Sequence, residues 1–426
     1  MVIAAPQAID TSRSSSDPED HNLTSDSSSS SSGTEGLDAS CTLNGNGDKH
    51  HDCRGSIDDT HRFRFTARVE EEPRNKIYCI AWCDVAPQYE CYFATVCGAR
   101  ATVYESLPLT ASNTEAEKAG GQNSLAIDVV QSYSDEDTEE ELYACAWSYE
   151  QDNGAPLLAV AGLRGVIKII SCRQRRLTAA LVGHGNSVNE LKFHPVDGGL
   201  LLSASKDESI RLWNMRTNVC VAIFAGDGGH RDEVISIDIR AAGASDMFLS
   251  GGMDNTVKVW ALHSEEMQAA MRESYSRPHA GNGRPFKTLY EQFPLFSTAK
   301  VHNNYVDCVR WVGSLIMSKS VVDLTLWRPD PARGKDAVMV LNQYPLLDTE
   351  LWFMRFGFSA GLHFMAVGSS SGRVDVWDVD SLPPKTVASL YTPKCKDTVR
   401  MAAFSPSGST LLVCCDDAIL WRWDMS

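Results

Sequence analysis

The chain has 426 residues, of which 43% are hydrophobic and 22% charged, values that are typical of a globular protein with a substantial core. Its formal net charge of −16 disfavours direct binding to DNA or RNA, which requires a basic face, and favours a basic partner. Because it has no apolar run of about 18 residues and no secretory signal, we expect a soluble, intracellular protein. Thirteen cysteines without a CxxC pair indicate reduced, mostly buried thiols rather than a disulfide framework or a zinc site, so we expect no metal.

The first 60 residues differ in composition from the rest of the chain. They contain no Phe, Trp or Tyr, include thirteen serines and carry 3 basic against 11 acidic side chains. Such a segment buries too little apolar surface to offset the entropy that it would lose on folding. We therefore predict a disordered tail over residues 1–60 and a folded domain over residues 61–426.

A repeated pattern begins at about residue 61. Each unit has a Gly-His pair or its equivalent, two short strands joined by a turn, and a third strand that ends in an aromatic or apolar residue. These third-strand ends are Tyr104, Ile170, Trp213, Trp260, Trp327, Trp377 and Trp423. Seven units at spacings of 43 to 67 residues predict an all-β fold, a seven-bladed WD-repeat β-propeller. The two longest units contain polar stretches, residues 106–135 and 263–300, which we interpret as loop insertions.

Two units carry polar residues at matching positions that are typical of a hydrogen-bond chain within a blade. These structural tetrads are His184, Ser203, Asp207 and Trp213, and His230, Ser250, Asp254 and Trp260. Asp is expected to accept from His, and Ser to link the His to the indole N–H. A catalytic Ser/His/Asp site is disfavoured because the trio occurs twice at the repeat spacing. The fifth unit has His302 but no Asp six residues before Trp327, and the sixth has Ser371 there, so both tetrads are expected to be imperfect.

The last unit ends after its third strand and so lacks an outer strand. Residues 62–70 (RFRFTARVE), which precede the first unit, alternate in polarity and are β-prone. We predict that they supply the missing strand of the seventh blade and close the ring, which would hide two sheet edges.

The first strand of each unit, such as IYCIAW in the first and LWFMRF in the sixth, is expected to line the central channel. Its second position holds Tyr78, Tyr143, Asn189, Ile235, Asp307, Trp352 and Arg400. Three of these are large aromatics, and Phe353 follows as a fourth. Converging rings suit a methylated ammonium, which keeps its charge but has lost N–H donors. The alternative is that these rings pack between the blades as part of the core. The acidic run 135–141 either steers a basic tail towards this end of the channel or is a solvated loop.

Several segments resemble the Extra sex combs, embryonic ectoderm development (EED) and fertilization-independent endosperm family, among them ELYACAWSY, VGHGNSVNELKFHP, SKDESIRLWN, HNNYVDCVRW and LWFMRF. The resemblance covers residues 61–426 and implies the non-catalytic propeller subunit of the nuclear Polycomb repressive histone methyltransferase, without a cofactor. The implied partners are a SET-domain methyltransferase of the Enhancer of zeste type, a zinc-finger subunit of the Suppressor of zeste type and a methylated histone tail. Neither direct DNA binding nor a membrane is implied.

The same resemblance implies the site residues. The implied methyllysine cage is Tyr78, Tyr143, Trp352 and Phe353, and the implied channel lining is Asn189, Lys206, Met253, Tyr305, Asp307, Arg355 and Arg400. Tyr78 and Phe353 stand where animal members have Phe and Tyr, so the cage stays aromatic. The implied function is to read trimethylated lysine twenty-seven of histone H3 and to stimulate the catalytic subunit in gene silencing.

Two alternatives belong to other functional classes. A substrate receptor of a Cullin-type ubiquitin ligase is one, because Trp213-Asn214-Met215-Arg216 fits the short box that such receptors carry. An enzyme is the other, and it is disfavoured because the sequence has no metal-ligand spacing, phosphate loop or nucleophile motif.

Overall fold

The computed structural model describes residues 63–72, 74–108, 126–240, 246–276 and 286–425. The predicted tail, residues 1–60, lies outside these ranges. Within them, 29 strands form seven sheets, and each sheet is one blade of a propeller, which confirms the fold class predicted from the repeats. No helix in the described part of the chain is long and apolar enough to cross a membrane.

The first three blades follow one another along the chain, and their strands are named here from the central channel to the rim. Blade one contains β2 (Ile77–Trp82), β3 (Tyr92–Cys97), β4 (Arg100–Ser106) and β5 (Ile127–Ser134). Blade two contains β6 (Leu142–Tyr149), β7 (Pro156–Gly162), β8 (Ile167–Ser171) and β9 (Arg176–Leu181). Blade three contains β10 (Val188–Phe193), β11 (Leu200–Ser205), β12 (Ile210–Asn214), β13 (Val219–Phe224) and β17 (Leu289–Glu291).

The other four blades complete the ring. Blade four contains β14 (Val234–Arg240), β15 (Met247–Gly252), β16 (Val257–Ala261) and β18 (Phe296–Thr298). Blade five contains β19 (Val306–Val312), β20 (Leu315–Ser320), β21 (Leu324–Pro329) and β22 (Val338–Tyr344). Blade six contains β23 (Gly357–Phe358), β24 (Phe364–Gly368), β25 (Val374–Asp378) and β26 (Lys385–Leu390). Blade seven contains β27 (Val399–Phe404), β28 (Thr410–Cys415), β29 (Ile419–Met425) and β1 (Phe63–Glu70).

The hydrophobic core is divided among the spaces between neighbouring blades. Seven apolar clusters fill these spaces, one for each pair of neighbours around the ring. Both faces of a blade therefore contact another blade, and the second strands are almost entirely buried, completely so in Leu200–Ser205 and Thr410–Cys415. This explains why the second strands have apolar runs instead of the alternation expected of a strand with one solvated face.

The seventh blade takes its outer strand from the beginning of the described chain. β1 pairs antiparallel with β29, from Phe63 opposite Met425 to Glu70 opposite Ile419. The ring of Phe65 packs 5.7 and 5.6 Å, centroid to centroid, from the two tryptophans of β29. Hydrogen bonds and aromatic contacts thus join the two ends of the propeller.

The two stretches interpreted as loop insertions contain regular structure, so that interpretation was incomplete. The first includes β5, the outer strand of blade one. The second includes a helix, α1 (Glu265–Ser276), and the strands β17 and β18. β17 pairs in parallel with β13 at the rim of blade three, and Met267 and Met271 of α1 enter the core between blades three and four.

Candidate functional site

The second residue of the first strand is a β-bulge in six of the seven blades. In blade one, Ile77 pairs with Cys97 and Cys79 with Val96, which leaves Tyr78 out of the ladder. The corresponding bulged residues of the other five blades are Tyr143, Asn189, Ile235, Asp307 and Arg400. A bulge re-aims the side chain of its extra residue. The aligned positions therefore share a backbone irregularity that places their side chains at one end of the channel.

Blade six departs from this pattern and from the sequence prediction. The segment LWFMRF is not a strand, because β23 begins only at Gly357 and the preceding residues make a single bridge, from Arg355 to Met401. Phe353 has a φ of +65°, a left-handed conformation that costs an ordinary residue about 1 kcal/mol or more. Trp352 and Phe353 are consequently carried by a loop that leaves the sheet.

Four aromatic side chains meet where this loop approaches blades one and two. The ring centroid of Tyr78 lies 5.1 Å from that of Tyr143 and 5.5 Å from that of Phe353, at interplanar angles of 85° and 88°. Trp352 contacts Phe353 at 5.7 Å and 86°. Phe353 is buried, the two tyrosines are partly buried, and Trp352 is 42% exposed. The structure thus brings the four predicted cage residues together in edge-to-face contacts.

Arg400, which belongs to blade seven, fixes the position of the loop that carries Trp352 and Phe353. Its guanidinium donates to the carbonyl of Trp352 over 2.9 Å and to both carboxylate oxygens of Asp416 over 2.6 and 2.7 Å. The carbonyl of Arg400 accepts from the backbone N–H of Arg355 over 2.8 Å. Asp416 balances the charge of Arg400, which contacts the aromatic cluster both through the backbone of Trp352 and through its guanidinium carbon, 5.8 Å from the ring centroid of Tyr78.

Asp307, which belongs to blade five, fixes the same loop. Its carboxylate pairs with the ammonium of Lys319 at 3.0 and 3.1 Å, and both side chains are fully buried. One carboxylate oxygen also accepts from the backbone N–H of Met354 over 3.2 Å. This hydrogen bond lies directly after Phe353, so it supports the left-handed conformation of that residue.

Arg355 supports the cluster from within the protein. Its guanidinium carbon lies 4.5 Å from the ring centroid of Phe353, and one guanidinium nitrogen donates to the carbonyl of Asn189. The residue is only 2% exposed. One face of the Phe353 ring therefore has a buried cation beside it before any ligand binds.

The tyrosine hydroxyls face a negative environment. Tyr143 donates its hydroxyl to a carboxylate oxygen of Glu141 over 3.0 Å. Burial, followed by the charge of Glu141, raises the pKa of Tyr78 to about 12, and the same causes raise the pKa of Tyr143. Both phenols stay neutral at physiological pH, and their rings lie close to a carboxylate.

Part of the acidic run 135–141 is paired within the protein. Asp135 contacts the ammonium of Lys168, and Asp137 pairs with Arg164 over 2.7 Å. These pairs reduce the field that the run could exert on a distant basic tail, although the carboxylate beside Tyr143 remains next to the cluster.

Three of the other predicted channel residues are organised by Glu233, which the sequence reasoning missed. Its carboxylate accepts from the amide of Asn189 over 2.9 Å and lies 3.7 Å from the ammonium of Lys206. Its carbonyl accepts from the backbone N–H of Met253 over 2.8 Å. Tyr305 is separate and 40% exposed. The only available signal was an acidic residue directly before the first strand of blade four.

The tetrad residues of blades three and four form continuous hydrogen-bond chains. In blade three, Trp213 donates to the Ser203 hydroxyl over 2.9 Å, and His184 lies 2.6 Å from that oxygen and 2.8 Å from Asp207. Blade four repeats these contacts within 0.2 Å. Burial lowers the pKa of His184, so its neutral ring donates to Asp207 and accepts from the hydroxyl.

Blade five contains a third tetrad, which corrects the expectation that it lacks the acid. His302 contacts Asp323 and lies 2.6 Å from Ser318, which accepts from Trp327 over 2.8 Å. Asp323 stands four residues before the tryptophan, not six, for two reasons: the turn between β20 and β21 has three residues where that of blade three has four, and Asp323 is the last residue of its turn whereas Asp207 is the second of its own. In blade six, Ser371 instead donates to Asp348 over 3.0 Å.

Helix α1 lies against the box that suggested a Cullin-type receptor. Trp213 of this box is buried, Asn214 donates to Ser274 of α1 over 2.7 Å, and the guanidinium of Arg216 lies 5.2 Å from the ring of Tyr275. These contacts give the box residues a role within the fold. Among the described residues, no group of three or more His, Cys, Asp or Glu side chains could hold a metal ion.

Known proteins resemble this chain in sequence and in fold. The family model "WD domain, G-beta repeat" matches residues 175–214, 218–261 and 385–424. Polycomb group protein FIE2 of Zea mays is 39% identical over 83% of this chain and 89% of its own length. Polycomb protein esc of Drosophila virilis is 40% identical over 78% of this chain and 77% of its own.

Among solved structures, a chain of the ctPRC2 complex with H3K27me3 and H3K27M has a TM-score of 0.69 and 19% identity, covering 85% of this chain and 98% of its own. At that identity the likeness concerns the fold alone. The sequence relatives extend over most of the propeller. The chain therefore belongs to the Extra sex combs and fertilization-independent endosperm family of Polycomb group WD-repeat proteins.

Proposed function

We propose that this protein is the non-catalytic propeller subunit of a nuclear Polycomb repressive histone methyltransferase, and that its four clustered rings bind trimethylated lysine. The observation that carries the second part is the edge-to-face cluster of Tyr78, Tyr143, Phe353 and Trp352 at one end of the channel. The family supports the first part, and the relatives with Polycomb names extend over most of the propeller.

The chemistry of the cluster suits a trimethylammonium better than an unmodified ammonium. Rings at nearly right angles offer their faces and edges in several directions, and aromatic faces attract a cation that has no N–H donors. The carboxylate of Glu141 beside Tyr143 adds favourable charge. An unmodified lysine would lose hydrogen bonds to water without gaining acceptors among the carbon atoms of the rings.

The proposed ligand is a histone H3 tail trimethylated at lysine twenty-seven, and the proposed result is stimulation of an Enhancer of zeste type SET-domain subunit during gene silencing. A Suppressor of zeste type zinc-finger subunit completes the proposed assembly. Stimulation requires that the bound peptide has a higher affinity for the active arrangement of the complex than for the inactive one.

Calorimetric titration with matched histone peptides tests the reading function. The wild-type protein should bind the trimethylated peptide more tightly than the unmodified one, and Tyr143→Ala should weaken that binding by about 2- to 30-fold, the equivalent of one cation–π contact. Tyr143→Phe keeps the ring and should change the affinity little. Tyr290→Ala, which removes a ring that is 67% exposed on β17, is the control. Equal affinity of the wild-type protein for the two peptides would refute the reading function.

Affinity purification with mass spectrometry tests the assembly. We expect a SET-domain methyltransferase and a zinc-finger subunit to co-purify with this protein. Recovery of a Cullin adaptor in their place would favour the substrate-receptor alternative.

A further inference from the structure

Two cysteines from neighbouring blades meet in the wall of the central channel. Cys79 belongs to β2 and Cys145 to β6, and their sulfur atoms are 3.7 Å apart, with the Cys145 S–H donating to the Cys79 sulfur. Both are free thiols, and both line a cavity of about 530 Å³ formed by the first strands. Each residue is only 5% exposed, so this cavity is the route by which a small solute would reach the two thiols.

The two thiols differ in their tendency to ionise. The hydrogen bond from Cys145, helped by the nearby charge of Arg355, outweighs burial and lowers the pKa of Cys79 to about 6. The same hydrogen bond and burial raise the pKa of Cys145. A thiolate beside a protonated thiol is the arrangement in which one sulfur attacks an oxidant and the other resolves the product.

We propose that Cys79 and Cys145 are an oxidation site, which hydrogen peroxide converts into a disulfide that joins blades one and two. The Cys79 thiolate attacks one peroxide oxygen, the O–O bond breaks, and hydroxide leaves. Cys79 is then a sulfenic acid. The Cys145 sulfur then attacks the Cys79 sulfur, the S–O bond breaks, and water leaves as the S–S bond forms. In total the two thiols lose two electrons and two protons, and one peroxide becomes two waters.

A second pair of thiols shows that proximity is not the only requirement. Cys395 and Cys415 have sulfur atoms 3.5 Å apart, but neither residue lines the channel cavity. The hydrogen bond with Cys395, followed by burial, raises the pKa of the Cys415 thiol. This pair is closer than the channel pair but does not border the cavity, so it should react later.

The disulfide would form close in sequence to two rings of the aromatic cluster. Tyr78 precedes Cys79, and Tyr143 lies two residues before Cys145. The sulfur atoms must approach by roughly 1.7 Å to reach the S–S bond length of about 2.05 Å. Their side chains and strands have to absorb this movement. The oxidation site itself does not depend on whether the rings bind a peptide.

Peptide mapping of the full chain after graded exposure to hydrogen peroxide tests the site. Free thiols are blocked with an alkylating reagent, and the protein is digested without reduction. We expect a linked peptide pair containing Cys79 and Cys145, reversible with dithiothreitol, at a lower peroxide concentration than any link between Cys395 and Cys415. The oxidised protein should also melt at a higher temperature than the reduced protein, because the cross-link restricts the unfolded chain.

Cys79→Ser should abolish the linked pair and the rise in melting temperature, whereas Cys395→Ser should preserve both. Peptide mapping of the wild-type protein tests for the link between Cys79 and Cys145 even if a serine variant folds poorly. The proposal is overturned if Cys79 and Cys145 remain alkylatable at peroxide concentrations that oxidise the partly exposed Cys91, or if Cys395 and Cys415 are linked first.

Discussion

The buried ion pair of Asp307 and Lys319 offers a quantitative test of how blade five supports the aromatic cluster. Both side chains are fully buried, and Met354 supplies the only other hydrogen bond that the described structure gives the carboxylate. Removing one partner leaves an uncompensated charge in a medium of low dielectric, which costs about 3–5 kcal/mol. We therefore expect Asp307→Ala and Lys319→Met each to lower the free energy of unfolding by about this amount.

The double variant should cost no more than either single variant. With both charges gone, no charge remains unpaired, and apolar replacement of a whole buried pair is often close to neutral. Urea denaturation at neutral pH measures the four free energies of the double-mutant cycle, and the coupling energy should be about 3 kcal/mol or more. A control cycle on Lys300 and Asp336, 2.7 Å apart but 56% and 50% exposed, should give about 0.2–1 kcal/mol.

Additive effects in the Asp307 and Lys319 cycle would refute this reasoning, because they would mean that neither charge depends on the other. The cycle also separates stability from ligand binding. The double variant should fold but lack the hydrogen bond to Met354, so it should bind a trimethyllysine peptide more weakly than the wild-type protein. Unchanged peptide affinity would show that Phe353 keeps its position without Asp307.

Three further predictions concern the rest of the propeller. Asp207→Ala and Asp323→Ala should each lower the free energy of unfolding by about 1–3 kcal/mol, because each leaves a buried histidine without its acceptor. An unchanged free energy of unfolding in Asp323→Ala would contradict the assignment of a third tetrad to blade five. Deletion of residues 1–60 should leave the melting temperature nearly unchanged, whereas deletion of residues 1–69 removes most of β1 and should destabilise or aggregate the protein, and equal melting temperatures would contradict this. Burial lowers the pKa of His184, so the unfolded chain binds a proton there as the pH falls through about 6.5, whereas the folded chain binds it only at lower pH. The urea midpoint of the wild-type protein should therefore decrease as the pH is lowered from 7.5 to 5.5. The midpoint of His184→Gln should decrease less over the same range.

The blades could be predicted from the sequence because each repeat contains its own strand pattern, with an aromatic or apolar residue in the third strand. Every predicted third-strand end, from Tyr104 to Trp423, lies in the third strand of a blade. The alignment of first strands also selected the residues that the structure shows to be bulged, such as Tyr78 and Asn189. The bulge itself could not be predicted, because it changes the pairing of two strands without leaving a distinct pattern in either one.

The failures occurred where the backbone departs from the repeat. LWFMRF has the composition of a strand, and nothing in it indicates that Phe353 would adopt a left-handed conformation held by contacts from two other blades. Asp323 was missed because its turn is one residue shorter and the acid is the last residue of that turn, which together bring it two residues closer to Trp327. Turn length and distant hydrogen bonds decide these positions, and a comparison of repeats by residue count detects neither.

Four of the residues that the family resemblance implies as channel lining, Asn189, Asp307, Arg355 and Arg400, are buried and support the aromatic cluster. Glu233 holds the amide of Asn189, whose carbonyl accepts from Arg355, and the guanidinium of Arg355 lies against Phe353. This chain of contacts crosses the channel from blades three and four to blade six. A substitution of Asn189 should therefore change the shape of the aromatic cluster, although Asn189 is not one of its rings. The position of Phe353 depends on contacts from several blades, and so the closed ring is a physical requirement for the site as well as for the fold.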